Sequence, residues 1–205
     1  VGVAITAGKL GIGFTDANIK VGNTALDSQT TGTNNVAVGN AALTVNTTGQ
    51  SNVAVGGNSL DANTTGDYNT ALGSSALTNN TTGTLNTSVG QSTLFSNTTA
   101  SNNTAVGYNA LNANTEGFEN IAVGGRSLEE NTTGDRNTAI GYYALKSSTT
   151  ADYNSAVGAY ALGSNTTGTQ NTTLGYSALY GNTTGSNNTA VGGNALDSNT
   201  TASNN

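Results

Sequence analysis

One period governs this chain: from Ile19 to Asn205 it divides into eleven consecutive units of 17 residues with no insertion or deletion. Copies that never change length favour a structure in which every unit adopts one conformation and packs on its neighbours. The unit reads T-A-V-G-x-x-A-L-x-x-N-T-T-G-x-x-N, with good copies at residues 104–120 and 189–205. Numbering its positions 1 to 17 exposes four that are constant within the chain. Position 4 is Gly (Gly107), position 8 Leu (Leu111), position 12 Thr and position 17 Asn (Asn103) in every copy. Position 3 is always Val, Leu or Ile, Val106 among them. Gly107, Leu111, Asn103 and Val106 therefore stand for the structural set. Positions 5, 6, 9, 10, 15 and 16 vary, hold all ten aromatic residues of the repeat region and nearly all of its charges, and should face outward.

Seventeen residues are too few for a packed helix pair. Gly, Asn and Thr also disfavour helix and favour strands and turns. The expected fold is all-β: a parallel β-solenoid in which residues 19–205 make eleven coils. Residues 1–18 carry only traces of the unit, such as Asn18, and read as a degenerate first coil or a junction. Thr-Ala-Val should form one short strand per coil, the Ala-Leu stretch a second and Asn-Thr-Thr a third, with a strict corner at the position-4 glycine. In stacked coils each position becomes a ladder about 4.8 Å in pitch. Asn at position 17 then satisfies its buried amide on the copies above and below. The absence of Pro fits a chain whose amides are nearly all paired between coils. Two charge pairs test the register: Glu129 with Lys146 at position 9, and Glu119 with Arg136 at position 16. Burial of about one Leu and one Val-type side chain per coil is marginal against the entropy of ordering it, so self-association is expected.

Composition narrows the function classes. With no Cys and no His, thiolate and imidazole ligand sets and His-based dyads are absent, and Asp-rich calcium loops are missing too. No catalytic residue, metal or cofactor is expected, and the chain reads as a non-enzyme. A net charge of −6 is the wrong sign for a phosphate-tracking groove, so nucleic acid is not an expected partner. No apolar run is long enough to insert in a membrane. Val at residue 1, where Met would stand, reads as a processed product or a piece of a longer chain.

The repeat NTAxGxxAL…NTTGxxN resembles those of bacteriophage and prophage tail-fibre proteins and bacterial surface proteins. The stretch from Asn103 to Ala110 is similar to the N-S-V-A-I-G-x-x-S/A repeats of trimeric autotransporter adhesin heads. That resemblance covers residues 19–205 and implies a left-handed β-roll, three chains about a common axis, an extracellular setting and an outer binding surface. The 17-residue period and the added Asn-Thr-Thr segment depart from the adhesin pattern. The function it implies is a stiff shaft or head of a tail fibre or adhesin. A filament subunit stacked end to end and an ice-binding protein are the alternatives. As partners, a homo-oligomer (trimer or filament) and a host-surface glycan or protein are expected. The candidate contact strip is Tyr142, Tyr143, Tyr160 and Tyr176, at positions 5 and 6 of three consecutive units, with Arg126 one unit away.

Overall fold

The computed structural model describes residues 17–205. It is a parallel β-solenoid of eleven three-residue strands, from β1 (Ile19–Val21) to β11 (Thr189–Val191), each paired only with its sequence neighbours. The register is uniform: in β6 (Thr104–Val106) and β7 (Ile121–Val123), Thr104 faces Ile121, Ala105 faces Ala122 and Val106 faces Val123. A shift of 17 residues thus returns each residue to its own repeat position. The reading of residues 1–18 as a first coil falls mostly outside the described residues. Asn18, however, already acts as a position-17 residue, accepting the Asn35 main-chain N–H on its Oδ1 at 2.7 Å.

Only one strand forms per coil among the described residues, fewer than the three expected. The Ala-Leu stretch is a succession of turns because positions 6 and 8 both adopt positive φ. The position-8 leucines lie at φ 48–54°, in the left-handed region. This explains why the position is Leu and never Val or Ile: β-branched residues are strongly disfavoured there. Main-chain bonding between coils continues through these turns, as in the Leu77 N–H to Thr93 O bond of 2.9 Å. Gly107 meets two demands at once. Its φ is 128°, and a Cβ there would lie 2.7 Å from the Gly124 carbonyl carbon and oxygen of the next coil.

The interior is narrow. It holds the position-2 alanines such as Ala105, the position-7 residues and the position-8 leucines such as Leu111, all solvent-excluded along most of the rod. Position 3 is not part of it. In each strand Ala105 and its equivalents point inward, so Val106 and its equivalents on the next residue point outward. This corrects the expectation that one Val-type side chain per coil is buried.

The polar half of the interior is built from asparagines in two ladders, of which the period had suggested one. At position 17 the principal bond runs from main chain to side chain: the Asn52 N–H donates to Asn35 Oδ1 at 2.9 Å, and Asn52 Nδ2 donates to the Gly66 carbonyl at 2.8 Å. The amide-to-amide ladder expected there is present, as in the 3.2 Å bond from Asn52 Nδ2 to Asn35 Oδ1, and a second one runs at position 11, where Asn63 Nδ2 donates to Asn46 Oδ1 at 2.8 Å and Asn80 Nδ2 to Asn63 Oδ1 at 2.9 Å. The two ladders converge on the position-14 carbonyl. Gly66 O accepts from both Asn52 and Asn63, at 2.8 and 3.0 Å, which fills both of its lone pairs.

One coil replaces two interior alanines with Ser88 and Thr93. Their hydroxyls hydrogen-bond to each other, and Thr93 Oγ1 also donates to the Gly90 carbonyl at 3.0 Å, so the polar atoms satisfy themselves inside one coil. Another coil carries Ser148 where nine of the eleven have Asn at position 11, and there the ladder breaks: Ser148 Oγ and Asn131 Oδ1 are buried without partners.

Candidate functional site: an aromatic and charged groove

Because the inner positions are fixed by packing, chemical variety is confined to the outer ones, and one stretch of the rod concentrates it. Arg126 (position 6), Tyr142 and Tyr143 (5 and 6), Tyr160 (6), and Tyr176 and Tyr180 (5 and 9) come from four successive coils. The structure brings the expected strip together. Tyr142 and Tyr143 meet edge to face with ring centroids 4.2 Å apart. Tyr143 and Tyr160 stack nearly parallel at 5.6 Å and 16°, one coil above the other. Tyr160 then contacts Tyr176 at 6.0 Å and Tyr180 at 6.3 Å, both edge to face. Such pairs favour a defined ring arrangement.

Arg126 sits between aromatic faces, its guanidinium carbon 5.8 Å from both the Tyr108 and Tyr143 rings, and its Nη1 donates to the Tyr143 hydroxyl at 3.2 Å. Lys146 places Nζ 5.8 Å from the centroid of the Tyr143 ring. Glu129 and Lys146 are stacked as the spacing implies, since the Leu128 and Glu130 N–H groups flanking Glu129 donate to the Ala144 and Lys146 carbonyls at 3.0 Å each, but the ion pair forms one residue along. Lys146 Nζ bonds Glu130 Oε1 at 2.7 Å, while Glu129 lies 3.7 Å from Arg126 Nε on its own coil. The turn at positions 9 and 10 brings the next residue, rather than the stacked one, within reach of the ammonium. The second test pair holds, with Arg136 Nε 2.8 Å from Glu119 Oε2. The charge of Glu129, and then Tyr143, raises the Arg126 pKa; the hydrogen bond that Lys146 donates to Glu130 raises that of Lys146. Both groups remain cationic over the physiological range.

A groove of about 310 Å³ runs beside this cluster, walled by Tyr143, Tyr160 and Tyr180 and bordered by Arg126, Lys146 and Ser164. It opens because position 9 is Gly163 between Lys146 and Tyr180. A Cβ at Gly163 would lie 3.1 Å from the Tyr180 ring, so any side chain there would occupy the groove. Tyr180, Lys146 and Gly163 were not among the site residues read from the sequence. Their shared position in three consecutive units was the signal that could have found them.

Position 15 was also read as free to vary, yet nine of its eleven residues are Asp, Ser or Thr. Several of these accept the main-chain N–H of the preceding coil: Asp135 Oδ1 takes the Phe118 N–H at 2.9 Å, and Asp152 Oδ1 the Asp135 N–H at 2.8 Å. Burial, opposed by the Phe118 bond and reinforced by Asp152, raises the Asp135 pKa. The Asn-Thr-Thr triplets satisfy a glycosylation pattern, but their asparagines, from Asn46 to Asn182, are solvent-excluded and bonded on their amides. Asn199, in the triplet of the last coil, is the partly exposed exception.

Among the described residues, no cluster of three or more Asp or Glu side chains is arranged to hold a metal ion. The groove presents aromatic rings, hydroxyls and paired charges. The fold and this surface define a β-solenoid with a chemically distinct patch on its outer positions. No protein-family model, curated protein or solved structure matches the chain.

Proposed function

We propose that this chain is a non-enzymatic structural and adhesive module: a stiff extracellular shaft or head of a tail fibre or surface adhesin, assembled as a trimer through its strand face. One observation carries the reading. Position 3 is aliphatic in all eleven coils although it points outward, and Leu72 and Leu174, inside the stack, are 46% and 52% exposed. The coil itself does not require this, since neighbouring outward position 1 accepts Thr or Ser in most copies. An aliphatic row that folding does not demand is explained by a surface that covers it.

Eleven strands spaced about 4.8 Å apart and about 10 Å wide give a face on the order of 500 Å². Two such faces bury about 1,000 Å², at the threshold for a specific interface. A second copy fits best, because only another rod of the same pitch presents a row in step along the whole length. The repeat resemblance supports three copies and an extracellular setting.

Sedimentation equilibrium tests it. The expected mass is three times the 20.3 kDa chain, and Val106→Lys with Val123→Lys should reduce it to that of one chain while the far-ultraviolet spectrum is unchanged. A wild-type monomer at tens of micromolar would overturn the lateral assembly. A mass rising without limit with concentration would replace it by the end-to-end filament.

A further inference from the structure

We propose that the groove between Tyr143, Tyr160 and Tyr180 is a binding site for a neutral saccharide. The inference rests on the reading of the outer positions as the adhesive part of the rod, and it assigns the chemistry of what they hold.

Three features point to sugar. The first is the wall: Tyr143 and Tyr160 lie nearly parallel in adjacent coils with centroids 5.6 Å apart, and Tyr180, in the next, remains half exposed. The apolar C–H faces of a pyranose pack on such rings. The second is size. At about 310 Å³ the groove is at the lower end of small-molecule sites, which run from about 300 to 1,000 Å³, and suits about one or two sugar rings. The third is the rim, which offers donors and acceptors. Arg126 and Lys146 donate, and the Ser147 and Ser164 hydroxyls do either, while Glu129 and Glu130 lie outside the lining as partners of the two cations. A sugar hydroxyl likewise both donates and accepts.

The charge balance selects a neutral sugar over an acidic one. Each cation already has an internal carboxylate, Glu130 at 2.7 Å from Lys146 and Glu129 at 3.7 Å from Arg126. The patch thus carries two positive and two negative groups within a chain of net charge −6. A carboxylated sugar would displace one of these partners against the field of the whole chain. A neutral one leaves both pairs intact.

A second copy of the chain is a poorer occupant. Rods packed in step would repeat their contacts from coil to coil, whereas in residues 19–86 positions 5, 6 and 9 hold no aromatic residue at all. The glycine that opens the groove is also local: Gly163 stands where the flanking coils carry Lys146 and Tyr180.

The test uses the intact protein on an array of immobilised neutral and sialylated oligosaccharides, followed by tyrosine-fluorescence titration with the best neutral one. Wild type should bind neutral oligosaccharides. Tyr180→Ser and, independently, Gly163→Ser should weaken the titrated affinity at least tenfold, while Tyr68→Ser, on an exposed tyrosine far from the groove, should not change it. The two groove variants remove different features, so a folding defect in one leaves the other decisive. Sedimentation of the same variants separates this proposal from the lateral assembly: an unchanged mass with lost sugar binding supports the groove. Absence of any neutral ligand, binding confined to sialylated sugars, or loss of mass in Tyr180→Ser would each overturn it.

Discussion

Replacing Ser148 with Asn should stabilise the rod, and the neighbouring coils supply the magnitude. In the coil of residues 87–103, Asn97 occupies the equivalent position and Ala100 the equivalent of Ala151, so the substituted coil has a direct template. Asn97 Nδ2 donates to Asn80 Oδ1 at 2.9 Å and to the Ala100 carbonyl at 3.0 Å, while its own Oδ1 accepts from Asn114 at 3.0 Å. The main chain is alike as well: Ser148 N–H to Leu145 O and Asn97 N–H to Leu94 O are both 3.2 Å. Asn at residue 148 would therefore add bonds to Asn131 Oδ1, to the Ala151 carbonyl and from Asn165 Nδ2. Three bonds contribute about 3 kcal/mol, and ending the isolation of buried Asn131 Oδ1 adds about 1 kcal/mol or more. Ordering the longer side chain costs about 1 kcal/mol, leaving a net gain on the order of 2–3 kcal/mol.

Urea denaturation followed by circular dichroism measures the effect. With a slope of about 2 kcal/mol per molar, the midpoint should rise by about 1 M. The reverse change, Asn114→Ser, should lower it by a comparable amount because it opens the same ladder in an unbroken stretch. A midpoint for Ser148→Asn that stays put or falls would refute the claim that the amide ladder, rather than leucine packing alone, holds the polar half of the interior.

Two further outcomes follow from single contacts. Gly107→Val should prevent the coil from closing, because its Cβ would overlap the Gly124 carbonyl and its φ of 128° is disfavoured for a β-branched residue; a melting temperature within a few degrees of wild type would contradict this. The raised pKa of Asp135 means that its ionised form opposes folding, so its contribution is most favourable below the ordinary carboxylate range and is lost as pH rises through the folded value. Asp135→Asn keeps an oxygen for the Phe118 N–H, and its midpoint should exceed that of wild type at pH 7 by an amount that shrinks toward pH 3; an equal difference at both pH values would remove Asp135 as the cause.

Much of the coil was legible because stacking turns geometry into recurrence. A residue type that a position cannot do without appears there in every copy, which is how Gly107, Leu111 and Asn103 declared themselves. The position-11 ladder was legible in principle, since Asn fills it in nine of eleven coils, but it was hidden inside an Asn-Thr-Thr segment that reads equally well as a strand. The direction of Val106 was misread because an aliphatic residue at a fixed position suggests burial. Recurrence records that a position is constrained, not which side of the backbone imposes the constraint. Lys146 chose Glu130 over Glu129 for a related reason: ladder register governs main-chain neighbours, whereas a long flexible side chain reaches whichever carboxylate the turn presents.

The sequence alone determined that the chain is a stack of equal coils, since an exact period with constant Gly, Leu and Asn leaves few other ways to satisfy backbone and buried amides together. Tertiary structure decided what the period could not encode. Left-handed backbone at positions 6 and 8 turned a supposed second strand into a corner, alternation in one short strand sent the aliphatic row outward, and three variable coils happened to align Tyr143, Lys146, Tyr160 and Tyr180 around the gap at Gly163. The physical reason is that a repeat specifies contacts each unit makes with its twin, while a groove depends on side chains that differ between units and acquire a common geometry only once the coils are stacked.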